Sequence, residues 1–95
     1  MERIQLANRS WFDGDKAITF TELSYYDNGE DLLSINTREI GKHEELYLTK
    51  SKSWVLCYWT EGEVSASYKK ITKKEAKRWL SLNNHEIKPY SWINN

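Results

Sequence analysis

The sequence predicts an α+β domain: an antiparallel sheet of four or five strands, arranged as a meander, with one capped C-terminal helix packed on one face. Three observations support this prediction. Residues 45–71 contain three segments of strand type, separated by turn-forming residues. A helix-start signal follows them at Thr72. The length, 95 residues, suits one domain, so residues 1–95 are expected to form a single unit.

Residues 13–24 fit two structures. Ala17, Phe20 and Leu23 have the spacing of one helix face, whereas Ile18 and Phe20 alternate with threonines as in a strand. Threonine favours extended structure, but the pattern alone leaves both alternatives open.

The centre of the chain has the pattern of an antiparallel meander. The turns at 27–29 (DNG) and 61–63 (EGE) contain residues that adopt the positive φ of a tight turn. The clearest hairpin joins two strands across residues 50–52, and a strand with alternating polarity follows it. Strands are expected at residues 32–36, 45–49, 53–60 and 64–71.

The helix is predicted over residues 72–84. Thr72 and Glu75 have the spacing of a capping box, in which each side chain accepts a hydrogen bond from the other residue's backbone amide. A narrow apolar stripe follows at helical spacing, and two asparagines suit the end of the helix. Residues 87–95 form a C-terminal extension that contains enough apolar residues to be expected to pack on the domain.

The strand at 53–59 (SWVLCYW) is apolar on both faces. Trp54 and Leu56 point to one side and Val55 and Trp59 to the other, because side chains alternate along a strand. The helix can cover one face. The other face needs the terminal aromatic residues, a second copy of the chain or a different partner, and these alternatives stay open. The candidate protein-binding residues are Val55, Trp59, Trp11, Tyr90 and Trp92.

Charge is distributed unevenly along the chain although the net charge is zero. Residues 1–49 carry ten acids and five bases, whereas residues 50–95 carry nine bases and four acids. Lysines in the first turn of a helix are locally unfavourable, so the basic segment is an alternative nucleic-acid-binding site. Its residues are Lys69, Lys70, Lys73, Lys74, Lys77 and Arg78.

Catalytic and metal-binding motifs are weak. Cys57 could pair with His43 or His85, but a mid-strand thiol between large apolar residues is expected to be inert. The run His43-Glu44-Glu45 matches no metal signature. We therefore expect no enzyme, no metal and no cofactor. The single cysteine, the N-terminus without an apolar signal segment and the lack of long apolar runs favour a cytoplasmic protein without a membrane span.

Two segments resemble a family of small uncharacterised bacterial proteins. One is the hairpin 44–56, with an LYxT-turn-WVL pattern, and the other is the helix 75–86, with an EAxxWLxxNxH pattern. The similarity covers residues 11–86. Lys52 stands where a glycine is expected, and residues 87–95 extend beyond the pattern. The resemblance implies a non-enzymatic accessory protein and brings no active-site residues with it.

The leading functional expectation is a non-catalytic, protein-binding regulator or inhibitor. This expectation is based on the high aromatic content, the strand that is apolar on both faces and the lack of a recognisable set of catalytic residues in the sequence. One form of this expectation is an inhibitor that a phage or mobile element encodes and directs at a host defence complex. The partner is expected to be another protein or a second copy of the chain, and nucleic acid is the alternative.

Overall fold

Eight strands, one 3₁₀ turn and one α-helix make up the residues that this computed structural model describes, 3–6 and 11–85. In chain order they are β1 Arg3–Gln5, β2 Trp11–Asp13, the 3₁₀ turn Gly14–Lys16, β3 Ile18–Thr21, β4 Ser24–Asp27, β5 Asp31–Ser34, β6 Lys42–Leu48, β7 Trp54–Thr60, β8 Ser67–Ile71 and α1 Lys73–Leu82.

The main sheet confirms the predicted α+β class. It is antiparallel, with strand order β3-β6-β7-β8, and β6-β7-β8 form the expected meander. Two separate hairpins, β1-β2 and β4-β5, accompany it. The ambiguous residues 13–24 form strands and a 3₁₀ turn, so the threonine-rich pattern was the better guide. Strand β8 is shorter than expected, and Val64 lies fully exposed in the preceding turn.

Helix α1 begins and ends with the expected local signals. The Glu75 amide donates to the Thr72 hydroxyl at 3.1 Å, and the Thr72 amide donates to the Glu75 carboxylate at 3.1 Å, which completes the capping box. At the other end, Asn84 has φ of 63°, and the amides of Asn84 and His85 donate to the carbonyls of Ser81 and Leu80. This is a Schellman motif, which satisfies carbonyls that the helix leaves free.

The core lies between α1 and one face of the main sheet. Because side chains alternate along a strand, the core residues of the strands all point to the side of the sheet that α1 covers. Ala76, Trp79 and Leu80 of α1 pack against them. The strand members are Phe20, Leu46, Leu48, Trp54 and Leu56. Among the aromatic residues of the N-terminal half, Phe20 does not cover the second face of β7, because β3 pairs with β6 in the register Phe20↔Leu46 and so directs Phe20 into the core.

The N-terminal hairpin covers the second face of β7. Val55 is completely buried on this face, and Tyr47, its cross-strand partner on β6, lies on the same face. Phe12 from β2 packs on Tyr47 and on Tyr68, with ring centroids 5.8 and 6.3 Å apart. Ile4 of β1 is also buried. The chain itself therefore covers both apolar faces of the central part of β7. Of the three possible covers, namely its own terminal aromatic residues, a second copy and a different partner, the first accounts for this region.

An asparagine network joins the helix end to the β4-β5 hairpin. The buried Asn83 accepts from the Leu23 amide at 2.8 Å and donates to the Asn36 side chain at 2.8 Å. Leu23 precedes β4 and Asn36 follows β5. The base of this hairpin is thus tied to α1, and its strand β5 also contacts β6 of the main sheet.

Candidate functional site

A groove of about 590 Å³ lies between α1 and the main sheet. The sizes of the elements explain it. A ten-residue helix is about 15 Å long, close to the roughly 14 Å between the outer strands of a four-stranded sheet. Because α1 starts after β8 and its C-terminal end reaches β3, where His85 bonds the Thr21 carbonyl at 2.7 Å, it crosses the sheet. Part of each seven-residue strand, about 23 Å long, is left uncovered.

The groove has an apolar floor and a charged rim. Leu56 and Ile71 contribute from the sheet, and Trp79 and Leu82 from the helix. A smaller cavity of about 190 Å³ continues it and shares Leu56 with it, which extends the concave surface along β6 and β7. The charged residues that line the larger cavity are Glu44, Lys69, Glu75 and Arg78.

Both acids of the groove are already engaged by hydrogen bonds. The Trp79 indole donates to Glu44 at 3.0 Å. Burial raises the pKa of Glu44, and the indole bond opposes this shift. Glu75 belongs to the capping box, and the backbone hydrogen bond from Thr72 lowers its pKa. Each carboxylate therefore already has a donor supplied by the chain.

The two cations of the groove are less engaged. The Lys69 ammonium lies 5.7 Å from the centre of the Tyr58 ring. Within residues 3–6 and 11–85, no acidic side chain lies within ion-pair distance of Lys69 or Arg78. The groove thus presents an apolar surface beside two cations that can accept an anionic group.

His43 lies beside the smaller cavity and is held between two glutamates, an arrangement that we call the histidine clamp. His43 bonds Glu22 through Nδ1 at 2.7 Å and Glu61 through Nε2 at 2.8 Å, and its ring stacks on Trp59. Carboxylates only accept hydrogen bonds, so both ring nitrogens carry protons in this arrangement. The bond to Glu61 raises the pKa of His43, the bond to Glu22 and both carboxylate charges raise it further, and burial opposes these effects.

The predicted protein-binding residues do not form one site. Val55 is buried, so it does not reach the surface of this chain. Trp59 is half-buried and lines the smaller cavity, whereas Trp11 is exposed on β2. Tyr90 and Trp92 lie outside the described residues. Of this set, only Trp59 adjoins the groove.

The basic segment is divided between different surfaces. Lys69 and Arg78 line the groove. Lys70 is the cross-strand partner of Val55 and therefore lies on the opposite face of the sheet. The remaining residues, Lys73, Lys74 and Lys77, belong to α1 but do not line the groove. The six cations do not make one continuous patch of the kind that tracks a phosphate backbone.

Cys57 has the surroundings of an unreactive thiol. It is buried, and desolvation raises its pKa to about 11. His43 bonds the two glutamates, and His85 bonds a carbonyl and stacks on Trp79. Across residues 3–6 and 11–85, no three His, Cys, Asp or Glu side chains are arranged to hold a metal ion. No helix among these residues is long and apolar enough to cross a bilayer.

The β4-β5 hairpin exposes apolar side chains and carries an acidic tip. Tyr26 and Leu32 are cross-strand partners and are 67% and 51% exposed. Asn28 and Gly29 form the turn with φ of 51° and 76°, as the DNG pattern predicts. The tip also contains Asp27, Glu30 and Asp31, all exposed.

Sequence reasoning missed the groove because its parts are far apart in the chain. The sequence offers Glu44 only in a weak metal pattern, Leu56 only on an apolar strand face, and Trp79 only in the apolar stripe of the helix. The bond between Glu44 and Trp79 joins residues 35 positions apart. The basic pattern did include Lys69 and Arg78, but it gave no reason to separate them from their neighbours.

The chain matches no family model, no curated protein and no solved structure. Function is therefore inferred from the chemistry of the groove.

Proposed function

We propose that this chain is a small, non-catalytic protein-binding regulator that holds a segment of a partner protein in the groove beside α1. One observation carries the proposal: an open apolar floor lies beside Lys69 and Arg78, and no described acid lies within ion-pair distance of either cation. Glu44 and Glu75 interact with these cations only at longer range and already accept hydrogen bonds from the chain.

The chemistry of the groove selects a segment of a particular kind. Its floor and helix wall suit one or two aliphatic or aromatic side chains, each contributing about 1.5–3 kcal/mol when fully buried. An acidic residue next to them would contact Lys69 or Arg78, which adds about 1 kcal/mol at an exposed site. After the cost of association, these contributions correspond to a Kd on the order of 10–100 µM.

Two features support binding rather than catalysis. The most buried carboxylate of the groove, Glu44, is held by the Trp79 indole rather than by a second titratable group. Cys57 lies on the covered face of the sheet with a raised pKa. Neither group is positioned as a paired acid, base or nucleophile.

Peptide display tests the proposal. A library of random peptides is selected on the immobilised wild-type protein and on Arg78→Glu and Leu82→Glu variants. Both altered side chains are exposed, so the fold is expected to persist. We expect wild type to enrich peptides with an acidic residue next to apolar ones, and both variants to lose at least about tenfold in affinity for them.

Lys74→Glu is the matched control, because it makes the same charge change on the same helix outside the groove. Enrichment that is equal for wild type and both groove variants would refute the proposal. Binding to single-stranded DNA or RNA that falls steeply with salt and is lost in Lys74→Glu would favour the nucleic-acid alternative instead.

A further inference from the structure

We propose that the chain carries a ligand for its own groove: the β4-β5 hairpin of a second copy occupies the groove, and the exchange is reciprocal. This inference rests on the groove assigned above as a protein-binding site. It names the partner that the geometry and the charges favour when no other protein is present.

The hairpin has the chemistry that the groove selects. Tyr26 and Leu32 form an exposed cross-strand apolar pair. The next pair towards the tip, Asp27 with Asp31, points to the opposite face of the hairpin, because side chains alternate along each strand. Like charges directly opposite each other destabilise a strand pair, so these two aspartates are a locally unfavourable choice. A cation placed between them would relieve that repulsion, and the rim of the groove supplies Lys69 and Arg78.

The charges of the hairpin tip and of the groove rim point to a second copy. The hairpin belongs to residues 1–49, where acids exceed bases by five, and the groove cations belong to residues 50–95, where bases exceed acids by five. The exposed acids at the hairpin tip, Asp27, Glu30 and Asp31, are complementary to Lys69 and Arg78 at the rim of the groove, where Glu44 and Glu75 already accept hydrogen bonds from their own chain. A foreign partner would need to reproduce this charge pattern independently.

The positions of the two surfaces allow a closed pair. Asn36 lies two residues after β5 and also lines the groove, so the hairpin base and the groove adjoin. None of the hairpin residues lines the groove of its own chain. When complementary surfaces are adjacent, a twofold axis beside them satisfies both contacts at once, and the assembly stops at a dimer.

Sedimentation velocity tests the inference at protein concentrations between about 5 and 500 µM, a range suited to a small and partly polar interface. We expect the weight-average mass of wild type to rise from 11.3 kDa towards twice that value. Arg78→Glu and Asp31→Lys should each weaken association about tenfold or more, because each change repeats in both contacts and creates repulsion. Lys74→Glu, the control with the same charge change outside the groove, should alter association by less than about twofold.

Mixing the two charge variants provides the decisive arm. In a mixed dimer, one contact is native and the other pairs the introduced lysine with the introduced glutamate. Association of the equimolar mixture should therefore return to within about threefold of wild type, whereas each variant alone stays monomeric. The uncharged variant Tyr26→Ser/Leu32→Ser, which should also be monomeric, replaces either charge variant that fails to fold by circular dichroism.

A wild-type protein that stays monomeric over the whole range overturns the inference, as does association that neither charge variant weakens. If the groove still selects acidic, apolar peptides in that case, only self-pairing fails and the proposed function stands. If peptide selection also fails, both proposals fall together.

Discussion

Replacing His43 with glutamine should remove a pH-dependent contribution to the stability of the main sheet. His43 joins Glu22, which follows β3, to Glu61 in the turn after β7. Glu22 is 13% exposed and also accepts from the Glu44 amide at 2.7 Å, whereas Glu61 is 68% exposed. Water screens the second pair strongly, so most of the stabilisation comes from the first.

The magnitude follows from these surroundings. A partly buried, charge-assisted hydrogen bond contributes about 1.5–3 kcal/mol, and the exposed pair contributes up to about 1 kcal/mol. Glutamine is uncharged and carries both of its N–H donors on one nitrogen, so it cannot replace both charge-assisted bonds, and we expect His43→Gln to lower the free energy of unfolding by about 2 kcal/mol at pH 6. Glu22→Gln should lower it by more than Glu61→Gln, because water replaces the exposed partner more easily.

The sign of the pH dependence is determined by the raised pKa of His43. A histidine whose pKa is raised by folding stabilises the protein fully below its unfolded value of about 6.5. That contribution is lost as the pH rises through the higher pKa of the folded state. The difference in stability between wild type and His43→Gln should therefore be largest near pH 6 and shrink as the pH approaches 9.

Urea denaturation followed by tryptophan fluorescence at several pH values measures this difference directly. A difference that stays constant from pH 5.5 to 9 would show that protonation of His43 does not stabilise the fold. An NMR titration of the His43 ring that gave a pKa at or below 6.5 would contradict the clamp independently.

Three further outcomes are expected. Phe12→Ala should destabilise the protein by about 2–3 kcal/mol, because it removes the ring that covers Tyr47 and Tyr68. Chemical denaturation measures this loss, and a change below about 0.5 kcal/mol would mean that other side chains cover the second face of β7. Cys57 should react with a thiol reagent at pH 8 at least about a hundredfold more slowly in the native protein than in urea. The reason is that the thiol is buried and its pKa is raised to about 11. Equal rates would contradict its burial. Asn83→Leu should destabilise the protein by about 2 kcal/mol or more, because it leaves the Leu23 amide and the Asn36 side chain without their partner. Thermal unfolding measures this loss, and unchanged stability would show that the asparagine network is dispensable.

Local signals located most of the secondary structure. The capping box at Thr72, the turn at 27–29 and the hairpin between β6 and β7 all depend on residues close together in the sequence, and the structure confirms them. The undecided residues 13–24 show the limit of such signals. Helical and extended patterns fit them about equally, and pairing of β3 with β6 made the difference.

The candidate site could be predicted only in fragments. The basic pattern included Lys69 and Arg78, but their value depends on the path of α1 across the sheet, which no short pattern contains. The bond that holds Glu44 to Trp79 and the clamp around His43 join residues that are separated by 18 to 35 positions. Sequence periodicity shows which face of a helix or strand is apolar, but it does not show which other element packs against that face.

The sequence by itself determined that β7 is apolar on both faces, that a meander surrounds it, and that a capped helix follows. These properties arise from side-chain alternation and from hydrogen bonds between near neighbours in the chain. Only the tertiary structure decided that Phe12 covers Val55's face, that α1 leaves a groove beside Leu56, and that β4 and β5 form a separate hairpin tied to the helix end. Those outcomes depend on which long-range packing buries the most apolar surface, and that quantity belongs to the whole chain.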